Sequence, residues 1–199
     1  MTRINFFVAT VRPQYESLLG SHEAAVRLNN FFDVALPAGG IAAIPLVGFV
    51  LDRTPTVAVL ASLVACGTAI GALGVVRGTG AGALWAGYAN VCLFVLFRPF
   101  YYTAVSDFCA KVFGFETFGT VYGTIICVSG VLNLAQGGLD WLFQRKFDGD
   151  PVPVNVLLLV LGSGVGMVLV GFVWWRARGV RRGLLEEEAR AACGGQGGR

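Results

Sequence analysis

The sequence predicts an all-α membrane protein, a polytopic helical bundle, and three observations lead to this prediction. Hydrophobic residues make up 55% of the 199 residues and charged residues only 14%, which is roughly half of the charged content of soluble domains, about 25%. The mean hydropathy of +0.69 excludes an intrinsically disordered chain, since that class combines low hydrophobicity with high charge. Five cysteines in this length are too sparse for a disulfide-stabilised secreted domain.

Five apolar runs are each long enough to cross a bilayer, which takes about 20 helical residues. They cover residues 30–51, 56–76, 83–106, 118–139 and 154–175. The last run contains no charged residue and ends in Trp174 and Trp175, which suit the interface between lipid and water. An earlier apolar stretch, residues 4–11, spans only about 12 Å of a hydrocarbon core about 30 Å thick. It is therefore predicted to be the end of a truncated first helix.

The connecting segments set the domain boundaries. Residues 12–29 are polar and are predicted to be a loop; the alternative is a loop that contains a short surface helix. Residues 1–178 are predicted to form one transmembrane bundle, and residues 179–199 a cytoplasmic tail with a short helix followed by disorder. Four arginines close to the last run favour a cytoplasmic C-terminus, although the loops alone lean the other way. They are Arg176, Arg178, Arg181 and Arg182.

Arg98 is a charged residue inside an apolar run. A charge near the bilayer centre costs at least about 2.5 kcal/mol, so its environment must compensate for it. Pro99 follows it and is predicted to kink the helix, while Tyr101 adds a hydroxyl within one turn. Two interpretations stand: Arg98 faces a water-filled cavity and attracts the carboxylate of a solute, or it pairs with carbonyl groups of a neighbouring helix or snorkels toward the inner surface.

The fourth complete run has a polar face. Ser129, Asn133, Gln136 and Asp140 follow one another at intervals of four, three and four residues, which places them on one side of a helix, and Tyr122 extends this face. Such side chains either bind another helix or line a solute pathway, since both arrangements keep them out of lipid.

Other functions lack the residues that they need. The single histidine, His22, lies in a predicted loop, so neither a histidine metal site nor a Ser-His hydrolase is expected. The chain is therefore predicted not to be an enzyme and to bind no metal or cofactor. A net charge of +3 with scattered basic residues gives no reason to expect a nucleic-acid partner.

Two segments resemble known transporters. PLVGFVLDR at residues 45–53 resembles the G-x-x-x-D-R signature of the major facilitator superfamily, although Pro55 and Thr56 replace the next expected glycine and basic residue. FRPFYY at 97–102 and VFGFETFGTVYG at 112–123 resemble the tenth and eleventh helices of system-L-type amino acid transporters and their fungal relatives. The resemblance covers most of residues 5–175.

This resemblance implies a function and partners. It implies that the chain is the C-terminal six-helix half of a secondary transporter, embedded in a lipid bilayer and working with a missing N-terminal half or a second copy. The solute, a small polar or zwitterionic molecule such as an amino acid, would bind at Arg98, Tyr101, Ser129, Asn133 and Gln136. Asp52 and Arg53 would form a cytoplasmic gate. The alternative is a non-transporting scaffold or partner subunit, or an inactive truncated product.

Overall fold

The structure is a computed structural model, which describes the backbone of residues 1–147 and 149–194 and the side chains of residues 1–147 and 149–179. These residues form helices and no strand. The helices are α1 (Thr2–Leu19), α2 (His22–Arg53), α3 (Thr56–Leu73), α4 (Ala81–Asn133), α5 (Gln136–Trp141), a π-helical turn (Leu142–Lys146) and α6 (Val152–Gly194). The predicted disorder at the glycine-rich end falls on residues 195–199, which lie outside the described part.

Four helical stretches in the described residues are long and apolar enough to cross a membrane: His22–Arg53, Thr56–Leu73, Ala81–Lys146 and Val152–Gly179. The prediction of an all-helical, multi-pass membrane protein is confirmed at this level. The count differs from the predicted five complete spans because one stretch of 66 residues contains both 83–106 and 118–139. As a straight helix it would measure about 100 Å, against a hydrocarbon core of about 30 Å.

Gly114 breaks this long stretch. Its φ of 73° and ψ of 167° are not helical, and this region of backbone conformation is essentially restricted to glycine. Lys111, one turn earlier, donates a hydrogen bond to the carbonyl oxygen of Leu51 at 3.3 Å and pairs with Asp107 at 2.7 Å. The break therefore lies at the end of the bundle where α2 finishes.

The loop predicted over residues 12–29 is wrong, since this segment is a tight helical hairpin. α1 continues to Leu19, and Gly20 closes it in the left-handed conformation with φ of 60°. Ser21 then caps α2, its hydroxyl accepting from the Ala24 N–H at 3.4 Å. A glycine after the last helical residue and a serine before the next helix are the residues that these two caps prefer.

The main core joins α1, α2 and α4 through aromatic rings. The Phe7 ring lies 4.4 Å from that of Phe94 and 6.1 Å from that of Phe32, measured between centroids. All three side chains are buried. A second core beside it joins α2 and α3 to α4 near Ala104, so the first part of α4 is the central helix of the bundle.

The four-residue spacing of Gly67 and Gly71, and of Gly162 and Gly166, predicts close helix contacts, and in each pair one glycine makes such a contact. A Cβ atom at Gly71 would lie 2.5 Å from the Leu159 side chain, and one at Gly166 would lie 2.7 Å from the Val64 side chain. Both contacts join α3 to α6. At Gly67 a Cβ would meet only Phe97, at an ordinary 3.8 Å, and at Gly162 it would meet nothing within 4 Å.

Candidate functional site

The predicted polar face is present on α4 and α5. Its members are only partly exposed: Tyr122, Ser129, Asn133, Gln136 and Asp140. The flanking apolar side chains are more exposed: 62% of the Val131 surface and 79% of the Leu134 surface are accessible. The helix is interrupted at Leu134 and Ala135, but both keep right-handed helical angles, so the face continues across the interruption. The polar side therefore faces the protein, and the apolar side faces outward.

Two oxygen atoms on this face have no hydrogen-bond partner among the described residues. They are Oδ1 of Asn133 and Oδ1 of Asp140, and both atoms are buried. An unsatisfied buried acceptor costs about 1–3 kcal/mol, and most such groups in proteins find a partner or a water molecule. The polar face thus has hydrogen-bonding capacity that the described helices do not use.

Arg98 lies at the middle of the first part of α4, between Ala81 and the break at Gly114. Its side chain is half-buried, and it makes no hydrogen bond or ion pair with any residue whose side chain is described. From this position each end of the helix segment is more than about 20 Å away along the axis. Arg98 therefore lies far from both ends of this helical segment.

Tyr101 lies one turn after Arg98 and lines a cavity of about 390 Å³ between α1, α3, α4 and α6. Its ring packs against those of Phe97 and Tyr102. Arg98, Ser129, Asn133 and Gln136 are not among the residues that line this cavity. Of the predicted solute ligands, Tyr101 therefore borders this cavity and the other four do not.

The predicted gate residues lie at the exposed end of α2. Asp52 and Arg53 are both exposed, and the Arg53 guanidinium stacks on the Phe49 ring at 4.4 Å. Lys111 of α4 donates a hydrogen bond to the carbonyl oxygen of Leu51, the residue before Asp52. This brings a further cation, which the sequence did not single out, to the same end of the bundle.

A buried polar network, missed in the sequence, joins the opposite end of the bundle. The Asn90 amide donates to the Tyr15 hydroxyl at 2.9 Å, and the Asn155 amide donates to Gln14 Oε1 and to the Gly74 carbonyl, both at 3.0 Å. Asn90 and Asn155 are lone amides in apolar runs, and that signal was available in the sequence.

Tyr15→Phe is expected to lower the free energy of unfolding by about 1–2 kcal/mol, because it leaves the fully buried Asn90 amide without its acceptor. The double variant Tyr15→Phe/Asn90→Leu should lose less, since it buries no unpaired amide. SDS titration in mixed micelles measures the free energy of unfolding of the purified unaltered chain and of both variants. Tyr88→Phe is the control, because the described structure gives its hydroxyl no hydrogen bond. Equal losses for the two tyrosines would contradict the assigned role of the network.

Comparison with known proteins gives two relatives. The chain is 42% identical to Protein FMP42 of Saccharomyces cerevisiae over 173 residues, which are 87% of this chain and 34% of that protein. It is 34% identical to Equilibrative nucleobase transporter 1 of Bos taurus over 74 residues, which are 37% of this chain and 15% of that protein. The chain therefore spans about a third or less of the length of these relatives. No family model matches it, and no solved structure does.

Proposed function

We propose that this chain is the C-terminal six-helix half of a major-facilitator-type secondary transporter, which moves a small polar or zwitterionic solute across a membrane by alternating access. The observation that carries the proposal is the inward polar face with its unpartnered Asn133 oxygen. In lipid such a face is stable only against protein, water or solute. The similarity to a protein named as a nucleobase transporter supports the same class of function.

In this proposal the two parts of α4 cross the bilayer in opposite directions, with Gly114 at the turn between them. Arg98 attracts an anionic group of the solute, and the amides of Asn133 and Gln136 bind its donors and acceptors. Asp52, Arg53 and Lys111 lie at the cytoplasmic end, where the C-terminus also lies. The N-terminal half, or a second copy, supplies the other wall of the pathway. No catalytic step, metal or cofactor takes part.

Two solute classes deserve a test, because the sequence resemblance points to amino acids and a relative's name points to nucleobases. Both are small and present several hydrogen-bonding groups, which suits paired amides. The experiment is uptake of labelled leucine and labelled adenine into proteoliposomes. The chain is tested alone and fused in place of the matching region of FMP42. Uptake of neither class, by either protein, would favour the non-transporting alternative.

Asn133→Leu is expected to reduce uptake by about tenfold, since a lost hydrogen bond in a desolvated site is worth about 1–2 kcal/mol. Asn30→Leu provides the matched control because it replaces the same amide at an exposed position of α2. Initial rates are compared at equal amounts of inserted protein. If the two variants transport equally well, the polar face is a contact between helices and not a solute pathway.

A further inference from the structure

An open groove runs along the surface between α3 and α6. Its volume is about 820 Å³, within the range of small-molecule pockets, roughly 300–1,000 Å³. The side chains that line it from α3 are mostly alanines: Ala61, Ala65, Ala69 and Ala72. From α6 the longer side chains of Met167 and Trp174 border it. Short side chains beside long ones leave a channel between the two helices.

The groove and the cavity that Tyr101 lines are on opposite sides of the contact between α3 and α6. At this contact the hydroxyl oxygens of Thr68 and Ser163 are 2.9 Å apart. On α3, positions 61, 65, 69 and 72 line the groove, and positions 60, 63, 67 and 70 line the cavity. Arg3 of α1 and Tyr101 of α4 also line the cavity, whereas no described residue of α1 or α4 lines the groove. The groove therefore faces away from α1 and α4.

The groove has the length and the chemistry that suit a single acyl chain. Between positions 61 and 72, α3 rises by about 17 Å, and one leaflet of a hydrocarbon core about 30 Å thick measures about 15 Å. Residues 56–73 and 154–175 contain no charged residue. The hydroxyl of Thr68, which lines the groove, already donates to the carbonyl oxygen of Val64 at 2.8 Å. A ligand in the groove therefore meets mainly apolar atoms.

Arg178 lies beyond the end of the groove that Trp174 borders. Its guanidinium carbon lies 3.6 Å from the centroid of the Trp174 ring, and it forms no ion pair with any residue whose side chain is described. Met167, Gly171, Trp174 and Arg178 follow one another at intervals of four, three and four residues, which places them on one face of α6. Since Trp174 suits the membrane interface, Arg178, about 6 Å further along the axis, lies at the level of lipid head groups.

We propose that this groove binds an anionic phospholipid, with one acyl chain between α3 and α6 and the phosphate paired with Arg178. An apolar channel that ends at an arginine matches the two parts of such a lipid, and basic pockets between membrane helices bind anionic head groups. A second copy of the chain is less suitable, because two copies with the same orientation in the membrane would bring their Arg178 side chains together. The site is separate from the polar face of α4 and α5 and does not depend on transport.

The test measures how brominated lipids quench the fluorescence of Trp174. Phenylalanine replaces Trp85, Trp141 and Trp175, so that Trp174 is the only tryptophan in the chain. The purified full chain is reconstituted in phosphatidylcholine vesicles, and phosphatidylglycerol with brominated acyl chains replaces an increasing fraction of this lipid. Brominated phosphatidylcholine is the reference. We expect phosphatidylglycerol to bind about fivefold more tightly, the effect of one arginine beside an anionic head group.

Two pairs of variants test the two parts of the site. Arg178→Gln should remove the preference for phosphatidylglycerol, whereas Arg176→Gln should keep it, because Arg176 is also exposed but does not share the face of Arg178. Ala65→Leu fills the groove and should weaken the binding of both lipids severalfold. Ser62→Leu should not, since Ser62 is exposed on the same helix but does not line the groove.

Four results would overturn the proposal. The first is equal binding of the two lipids to the chain that retains Arg178. The second is an equal loss of preference in Arg176→Gln and Arg178→Gln, since the general basic charge of this end would then be the cause. The third is unchanged binding to Ala65→Leu, because the lipid would then lie outside the groove. The fourth is no quenching by either lipid, which would mean that protein covers the groove.

Discussion

Arg98→Ala is expected to lower the initial rate of solute uptake by about tenfold or more, a loss of at least about 1.4 kcal/mol in transition-state stabilisation. The guanidinium lies halfway along the first part of α4 and has no partner among the described side chains. A charge inside an apolar helix is stabilised where water or a solute reaches it or where it pairs with backbone carbonyl groups, and this prediction follows from the first of these. Arg98→Lys should also reduce uptake, because lysine lacks the planar set of donors that fits a carboxylate.

The measurement is uptake of labelled leucine or adenine, whichever the unaltered protein transports, at equal amounts of inserted protein. Arg27→Ala is the matched control, since Arg27 is exposed near the start of α2. Arg27→Ala should take up the solute at the same rate as the unaltered protein. Normal transport by a well-inserted Arg98→Ala protein would remove Arg98 from the pathway and favour pairing with helix carbonyl groups.

The hydropathy of the sequence was enough to predict an all-helical membrane protein, but not the hairpin at Gly20. Gln14 and Tyr15 belong to the polar segment 12–29, whose composition indicates a loop, but both side chains are buried. Their partners Asn155 and Asn90 come from helices far along the chain. Burial of this kind depends on tertiary contacts. Hydropathy is averaged over neighbours in the sequence, so it does not detect such contacts.

The polar face was predictable because helical spacing alone places Ser129, Asn133 and Gln136 together. The cavity was not, since Arg3, Thr68 and Ser163 lie on three different helices and no local pattern joins them. Arg98 and Tyr101 illustrate the same limit. They are one turn apart in the sequence, but the structure places only Tyr101 on the wall of the cavity.

Gly39→Leu is expected to destabilise the bundle by about 3 kcal/mol, the upper part of the range for overpacking. A Cβ atom at this position would overlap the side chain of Val95, which is buried on α4. The contact joins α2 to the central helix, so a leucine would push the two helices apart. This loss must outweigh the gain of about 0.8–1.0 kcal/mol from replacing glycine in a helix.

Gly40→Leu provides the matched control for this prediction, because a Cβ atom there would meet nothing within 4 Å. Gly40 lies on the same helix, and leucine brings the same gain in helix propensity there. We therefore expect Gly40→Leu to show unchanged or slightly higher stability in SDS titration. Val95→Ala should restore part of the stability of Gly39→Leu, since it removes the atoms that collide. If Gly39→Leu and Gly40→Leu were equally stable, α2 and α4 would not be in the close contact that the Gly39 and Val95 positions indicate.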